Sequence, residues 1–238
     1  MCHPGMNSNM NFPAPVAVLG FLAGAGGLIL SLVALLLLAA VGKAAYARWI
    51  AYVIGACALV YFGLLFALAA GSREVTLSPG QEKYFCEIDC HLAYSVQSIR
   101  EEPATDSCQL TVRLRTRFDE MTISPRRPKN APLMPNPRKV ELIDSRGRSY
   151  SPVATTGTPL NQPLIPGESY ETELMFGLPL DATAPKLLIT TPGWEQQLLI
   201  GDENSFGHKK TFLGLTQSKA TQQSHAVMTV FSSAFLHD

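Results

Sequence analysis

Two unlike patterns divide the chain. From residue 15 to residue 41 apolar positions follow one another without a break, and a second run covers residues 49–70. A helix needs about 20 such residues to cross the hydrocarbon core of a bilayer, so each run is long enough to span it. The first run is too long for a cleaved signal peptide, and no basic residue precedes Lys43. The pattern therefore predicts a helical hairpin over residues 15–71, preceded by an N-terminal tail, residues 1–14. The link between the helices holds Lys43 and Arg48.

After residue 72 the pattern changes to short alternating runs separated by proline and glycine, the signature of strands and turns. In the run Ser107-Cys-Gln-Leu-Thr-Val-Arg-Leu-Arg-Thr-Arg-Phe118, Cys108, Leu110, Val112, Leu114 and Phe118 share one face, and polar residues take the other. Val140 to Asp144 and Arg148 to Ser151 predict a hairpin turning at Gly147. Residues 169–176, 186–191 and 194–200 are further strand candidates. Five prolines between Thr122 and Pro137 exclude a central strand there and predict an irregular or recognition loop. The expectation is an all-β antiparallel sandwich over residues 72–212, then a mobile C-terminal tail, residues 213–238, with a short apolar piece from Val227 to Phe231.

Charge sharpens this division. All 19 acidic residues lie beyond Ser72, while residues 1–71 carry only Lys43 and Arg48 as formal charges. Basic short loops stay in the cytoplasm. The link is thus expected on the cytoplasmic side of a bacterial inner membrane, and the N-terminus and the β domain in the periplasm. A net charge of zero gives no basic surface for nucleic acid. No acid, base or histidine interrupts either apolar run, which argues against ion or proton transport by these helices alone. The small-residue spacings Gly20-x3-Gly24 and Ala51-x3-Gly55 suit close helix packing, within the hairpin or against another membrane subunit.

The strand of type Thr-Val-Arg-Leu-Arg, the hairpin Val140-Glu-Leu-Ile-Asp-Ser-Arg-Gly-Arg-Ser-Tyr150 and the turn-and-strand Leu164-Ile-Pro-Gly-Glu-Ser-Tyr-Glu-Thr-Glu-Leu-Met-Phe-Gly-Leu-Pro179 resemble telokin-like, immunoglobulin-type domains of bacterial envelope proteins of unknown function. The resemblance covers about residues 80–200. It implies a sandwich fold and brings no catalytic residue with it.

Candidate chemistry centres on Lys83-Tyr-Phe-Cys-Glu-Ile-Asp-Cys-His91. Read as one strand, Cys86, Ile88 and Cys90 face one way and Glu87, Asp89 and His91 the other. Cys86 and Cys90 would then stand about 13 Å apart, beyond the ~7 Å a disulfide spans. An oxidising compartment favours pairing of Cys108 with Cys86 or Cys90. The alternative is a copper-binding or thiol-redox accessory protein using Cys86, Cys90 and His91, with Met1, Cys2, His3, Met6 and Met10 as further soft ligands. Haem attachment needs two residues between the cysteines, and three are present. No nucleophile-base signature, phosphate loop or zinc-spaced cluster occurs. Asp119-Glu120 beside Arg126-Arg127 reads as a solvated ion-pair face, and residues 202–210 as turn and cap composition. The leading expectation is a non-enzymatic protein-interaction or complex-assembly module without cofactor, whose partner is another membrane or envelope subunit.

Overall fold

A computed structural model describes residues 7–86, 89–103, 107–123, 128 and 130–215. Two helices, α1 (Ala14–Ala40) and α2 (Ala44–Gly71), are long and apolar enough to cross a membrane. The link is shorter than the sequence suggests. Ala44, Ala45 and Ala47 are strong helix formers, so α2 starts directly after Lys43 and takes Arg48 into its second turn. α1 and α2 pack against each other as a hairpin.

The remaining elements form two facing sheets. The larger has the order β1-β3-β4-β5-β9-β8, and the smaller β2-β11-β10-β6-β7. Their strands are β1 (Asn7–Ser8), β2 (Val75–Leu77), β3 (Lys83–Phe85), β4 (Leu92–Pro103), β5 (Ser107–Phe118), β6 (Lys139–Ile143), β7 (Ser149–Tyr150), β8 (Ala154–Gly157), β9 (Ser169–Pro179), β10 (Lys186–Thr190) and β11 (Thr211–Gly214). β5 runs antiparallel between β4 and β9 along its full length, Ser107 facing Pro179 and Arg117 facing Ser169. Its alternation falls as the sequence predicts. Leu110, Val112, Leu114 and Phe118 are buried between the sheets, and Arg113 and Arg117 pair with Glu173 and Glu82 on the outer face.

The predicted hairpin is β6–β7, and Gly147 takes the left-handed conformation at φ +78 that its turn requires. Beside it Asp144 accepts hydrogen bonds from the backbone N–H groups of Arg146 and Arg148 and from the Arg148 guanidinium. Both Arg146 and Arg148 also bond Asp181.

Three expectations change. Residues 194–200 do not form a strand. Trp194 sits in the helical region and residues Glu195–Leu198 make a 3-10 turn with no ladder partner. The segment from Cys86 to Val96 is not one strand either, since β3 ends at Phe85 and β4 begins at Leu92. Third, the described part of the N-terminal tail, from Asn7, joins the sandwich. Asn7 and Ser8 pair in parallel with Lys83 and Tyr84, extending the larger sheet. The tail expected over residues 213–238 lies outside the described residues from 216 onward, apart from the end of β11 and Leu215.

Of the proline-rich connection, Leu133 is tied down by paired backbone bonds to Leu164, at 2.7 and 3.0 Å. Residues 124–127 and 129 lie outside the described part.

Candidate functional site

Of the candidate residues, Cys86, Cys90 and Met10 lie where the helices meet the sandwich, and Cys108 lies at the other end of β5. Cys86 and Cys90 are bonded to each other as a disulfide, with their Cα atoms 4.1 Å apart. The expected 13 Å separation fails because the segment leaves the strand at Cys86 and turns back. A covalent closure outweighs the few ladder bonds that two more strand residues would add. Both cysteines are buried, and they pack against Ala14 at the start of α1 and against Met10. Cys108, expected as a pairing partner, is a free cysteine that faces Pro103 across the β4–β5 ladder.

His91 is buried. Its Nδ1 lies 2.8 Å from the Thr122 hydroxyl and its Nε2 3.2 Å from an Asp89 carboxylate oxygen, and its ring lies against Phe118. Neither of these contacts is to a sulfur. Among the described residues no group of three or more His, Cys, Asp or Glu side chains is arranged to hold a metal ion. Of the expected soft ligands, Met1, Cys2, His3 and Met6 lie outside the described residues.

Next to this loop lies a polar chain: Tyr84 donates to Asp119 at 2.7 Å, and Arg117 makes paired bonds to Glu82. The Arg117 hydrogen bonds hold the Glu82 carboxyl below its usual range despite partial desolvation.

The feature that the sequence reading passed over is a buried polar knot. Lys83 shares the inward face of β3 with Phe85 and is fully buried. Its Nζ donates to both Glu203 oxygens, at 2.7 and 3.0 Å, and to the carbonyls of Ile189 and Thr211, each at 2.8 Å. Four acceptors around one nitrogen call for the ammonium form. Burial pulls the lysine pKa down, and the Glu203 carboxylate opposes that pull.

Asn9 completes the knot from the N-terminal side. Its Nδ2 donates to Asp202 at 3.0 Å, its Oδ1 accepts from Cys86 N at 2.7 Å, and its carbonyl accepts from Glu203 N at 2.8 Å. Burial and the nearby Glu203 charge push the Asp202 carboxyl up to about 7, against the bond from Asn204 N. Gly201 has φ +76, and a Cβ there would stand 2.4 Å from Phe12 Cβ. Only glycine lets the N-terminal segment lie this close.

The helices enter the same knot. Ala14 and Ala17 of α1 and Leu65 and Ala69 of α2 are buried, unlike most of either helix. Asn11 donates to Leu68 O, Lys209 N donates to the Ser72 hydroxyl, and Tyr61 donates to Leu198 O at 2.6 Å. A polar cleft of about 360 Å³ opens beside the end of α2, lined by Asn7, Asn11, Arg73, Glu203, His208 and Lys209 among others. Chemically this arrangement fastens one unit to another. Its carboxylates bond the other members of the knot, Glu203 with Lys83 and Asp202 with Asn9 and Asn204.

No family model and no curated protein matches the chain. Among solved structures, the chain is similar to a crystal structure of an uncharacterized β-sandwich protein from Clostridium difficile 630, at 12% identity and a TM-score of 0.37. That alignment covers 61% of this chain and 96% of the other. A likeness at this level carries no functional argument.

Proposed function

We propose that the protein is a non-enzymatic, membrane-anchored module for protein interaction or complex assembly, with α1 and α2 spanning a bacterial inner membrane and the sandwich in the periplasm. We read the sandwich as immunoglobulin-type and telokin-like, on the strength of its antiparallel β4-β5-β9 core and the Pro166-Gly167-Glu168 turn leading into β9. The observation that carries the functional reading is the knot. A sandwich on a flexible stalk could point anywhere, whereas this one is tied by Asn9, Asn11, Tyr61 and Ser72 and so presents fixed faces. Two facts support the orientation: Lys43 lies in the short link and Arg48 in the second turn of α2 beyond it, and the Cys86–Cys90 disulfide suits an oxidising compartment.

The contact surfaces would be the proline-rich connection, residues 125–137, and the edge strand β8, whose four residues are all exposed. Among the described residues β8 pairs only with β9, which leaves backbone groups open to an added strand. The test is photo-cross-linking in intact cells from probes at Thr155 and Met134, with Glu171 on the ion-paired outer face as control. A discrete adduct from Thr155 or Met134 but not from Glu171 supports the reading. A lone monomer in detergent with no adduct from any probe contradicts it.

A copper or thiol-redox role is the second reading, favoured by the proximity of Cys86 and Cys90. It requires reduction of their disulfide before either sulfur could ligate a soft metal. Anaerobic Cu(I) loading of the reduced protein tests it: stoichiometric metal lost in Cys86→Ser supports it, and no retained metal removes it.

A further inference from the structure

We infer that the segment from Pro192 to Gly207 lies in the headgroup layer of the bilayer, with Trp194 and Phe206 as its anchors, so that the sandwich is docked on the membrane surface. The inference rests on reading α1 and α2 as spanning helices.

Length is the first argument. α2 has 28 residues, about 42 Å at 1.5 Å per residue, against a hydrocarbon core of about 30 Å. Roughly two turns must therefore protrude. With Arg48 at the inner boundary, the outer boundary falls near Leu65 to Leu68, close to where α2 becomes buried by protein.

The loop brackets that depth. Tyr61, one to two turns on the membrane side of this boundary, donates to Leu198 O, and Gly207 lies on the outer side against Ala69, where an added Cβ would stand 3.9 Å from the alanine methyl. Phe206 N donates to Gln197 O, closing the segment into one piece. These contacts place the segment alongside the last turns of α2, not above them.

Side-chain character is the third argument. Trp194 is 72% exposed and Phe206 48%, both large aromatics left uncovered on a segment whose neighbours Leu199 and Ile200 are buried. Tryptophan is enriched at the headgroup level, where its ring meets the apolar boundary and its N–H meets water. Glu195 and Gln197, both exposed, set the depth. They fit among headgroups and would be expensive in hydrocarbon. A phospholipid surface is the occupant that this mixture of aromatic and polar groups suits, and it is continuous with the lipid-facing surface of α2.

The chain has two tryptophans, Trp49 and Trp194, which makes the test direct. Trp49→Phe leaves Trp194 as reporter, and Trp194→Phe leaves Trp49. Each full-length variant is reconstituted in phosphatidylcholine and phosphatidylglycerol vesicles, with or without bromine near the headgroup end of the acyl chains, and titrated with aqueous iodide. The expected result is loss of Trp194 emission to brominated lipid comparable with that of Trp49, together with resistance to iodide. Tyr61→Phe in the Trp49→Phe background should lower the brominated-lipid quenching. Quenching of Trp194 by iodide alone, while Trp49 responds to brominated lipid, overturns the docking and leaves the spanning hairpin in place. If neither tryptophan responds to brominated lipid, the spanning reading fails, and the docking fails with it.

Discussion

The sandwich has a charged cluster at each end, and the two are built differently. At the end away from the helices, Asp144, Arg146, Arg148 and Asp181 clamp the β6–β7 turn, with Arg146 and Asp181 exposed, Arg148 half-buried and Asp144 buried. Most of these partners are close in sequence, and the cluster steadies a turn. At the helix end, Lys83, Asn9, Asp202 and Glu203 are buried, and the pairs Asn9–Asp202 and Lys83–Glu203 each join residues more than a hundred apart. Exposed ion pairs contribute about 0–1 kcal/mol each. Buried ones give little net stability over an apolar core, but removing one partner is costly. The difference teaches that the far cluster tolerates error and the near one does not. The near cluster makes the relative placement of N-terminal segment, sandwich and hairpin all-or-none.

The largest expected effect comes from breaking the buried pair. Lys83→Ala leaves Glu203 buried without its cation and should destabilise the detergent-solubilised full chain by about 3–5 kcal/mol. Lys83→Met with Glu203→Leu should restore most of that loss while loosening the fit to the N-terminal segment. If the double variant is no more stable than Lys83→Ala, the pair is not what sets the cost. Thermal or denaturant unfolding reads both.

Asp202 sharpens the comparison through pH. Its carboxyl titrates at about 7 in the folded protein instead of 3.8, so the native state holds a proton that the unfolded chain has lost. Stability should therefore fall as pH rises from about 4 to about 7 and level off above, with a limit of about 4 kcal/mol for a shift of this size. Asp202→Asn should abolish that slope whatever its offset in absolute stability. A slope unchanged in the variant would assign the pH response elsewhere.

Asn9→Ala removes the side-chain bonds to Asp202 and to Cys86 N and should cost about 1–3 kcal/mol. Its sharper readout is limited proteolysis, which should cut before α1 sooner than in the parent protein. At the other end, Asp144→Asn should have the smallest effect. Burial alone would raise the Asp144 carboxyl, but the backbone and guanidinium bonds of Arg148 and the backbone N–H of Arg146 hold it at about 2. A lowered pKa stabilises above the unfolded value and is lost as pH falls through the folded one. The stability gap between parent and variant should thus be present at neutral pH, shrink below about pH 4 and close near pH 2. A gap that persists at pH 2 would contradict the assignment.

How much of this was legible in the sequence follows the same divide. Alternation located β5, β6 and β9, because each buries one face and repeats its pattern over several residues, while β10 shows as a short apolar run buried on both faces. The helices were visible from length and polarity alone, and Gly147 from its turn. Lys83 could have been suspected, since it shares a face with Phe85, and a lysine on an inward face needs an acid. Nothing local pointed to Glu203 or Asn9 as its neighbours. Parallel pairing of a two-residue strand leaves no periodicity to detect. The cysteine loop was misread because its alternation was good and only the covalent bond overrides it. Residues 194–200 mix Glu195, Gln196 and Gln197 with apolar neighbours and form a 3-10 turn, so no strand period underlies them.

The central claim is that the N-terminal segment locks sandwich and hairpin into one unit. Amide hydrogen exchange of the full chain in lipid nanodiscs tests it most directly, at Asn9, whose N–H bonds Tyr84 O, and at Glu203, whose N–H bonds Asn9 O. The account predicts protection at both comparable with the central β5 amides of Val112 and Leu114, and its loss at both in Asn9→Ala while β5 stays protected. Exchange at Asn9 and Glu203 as fast as at an exposed loop, with β5 still protected, would contradict it.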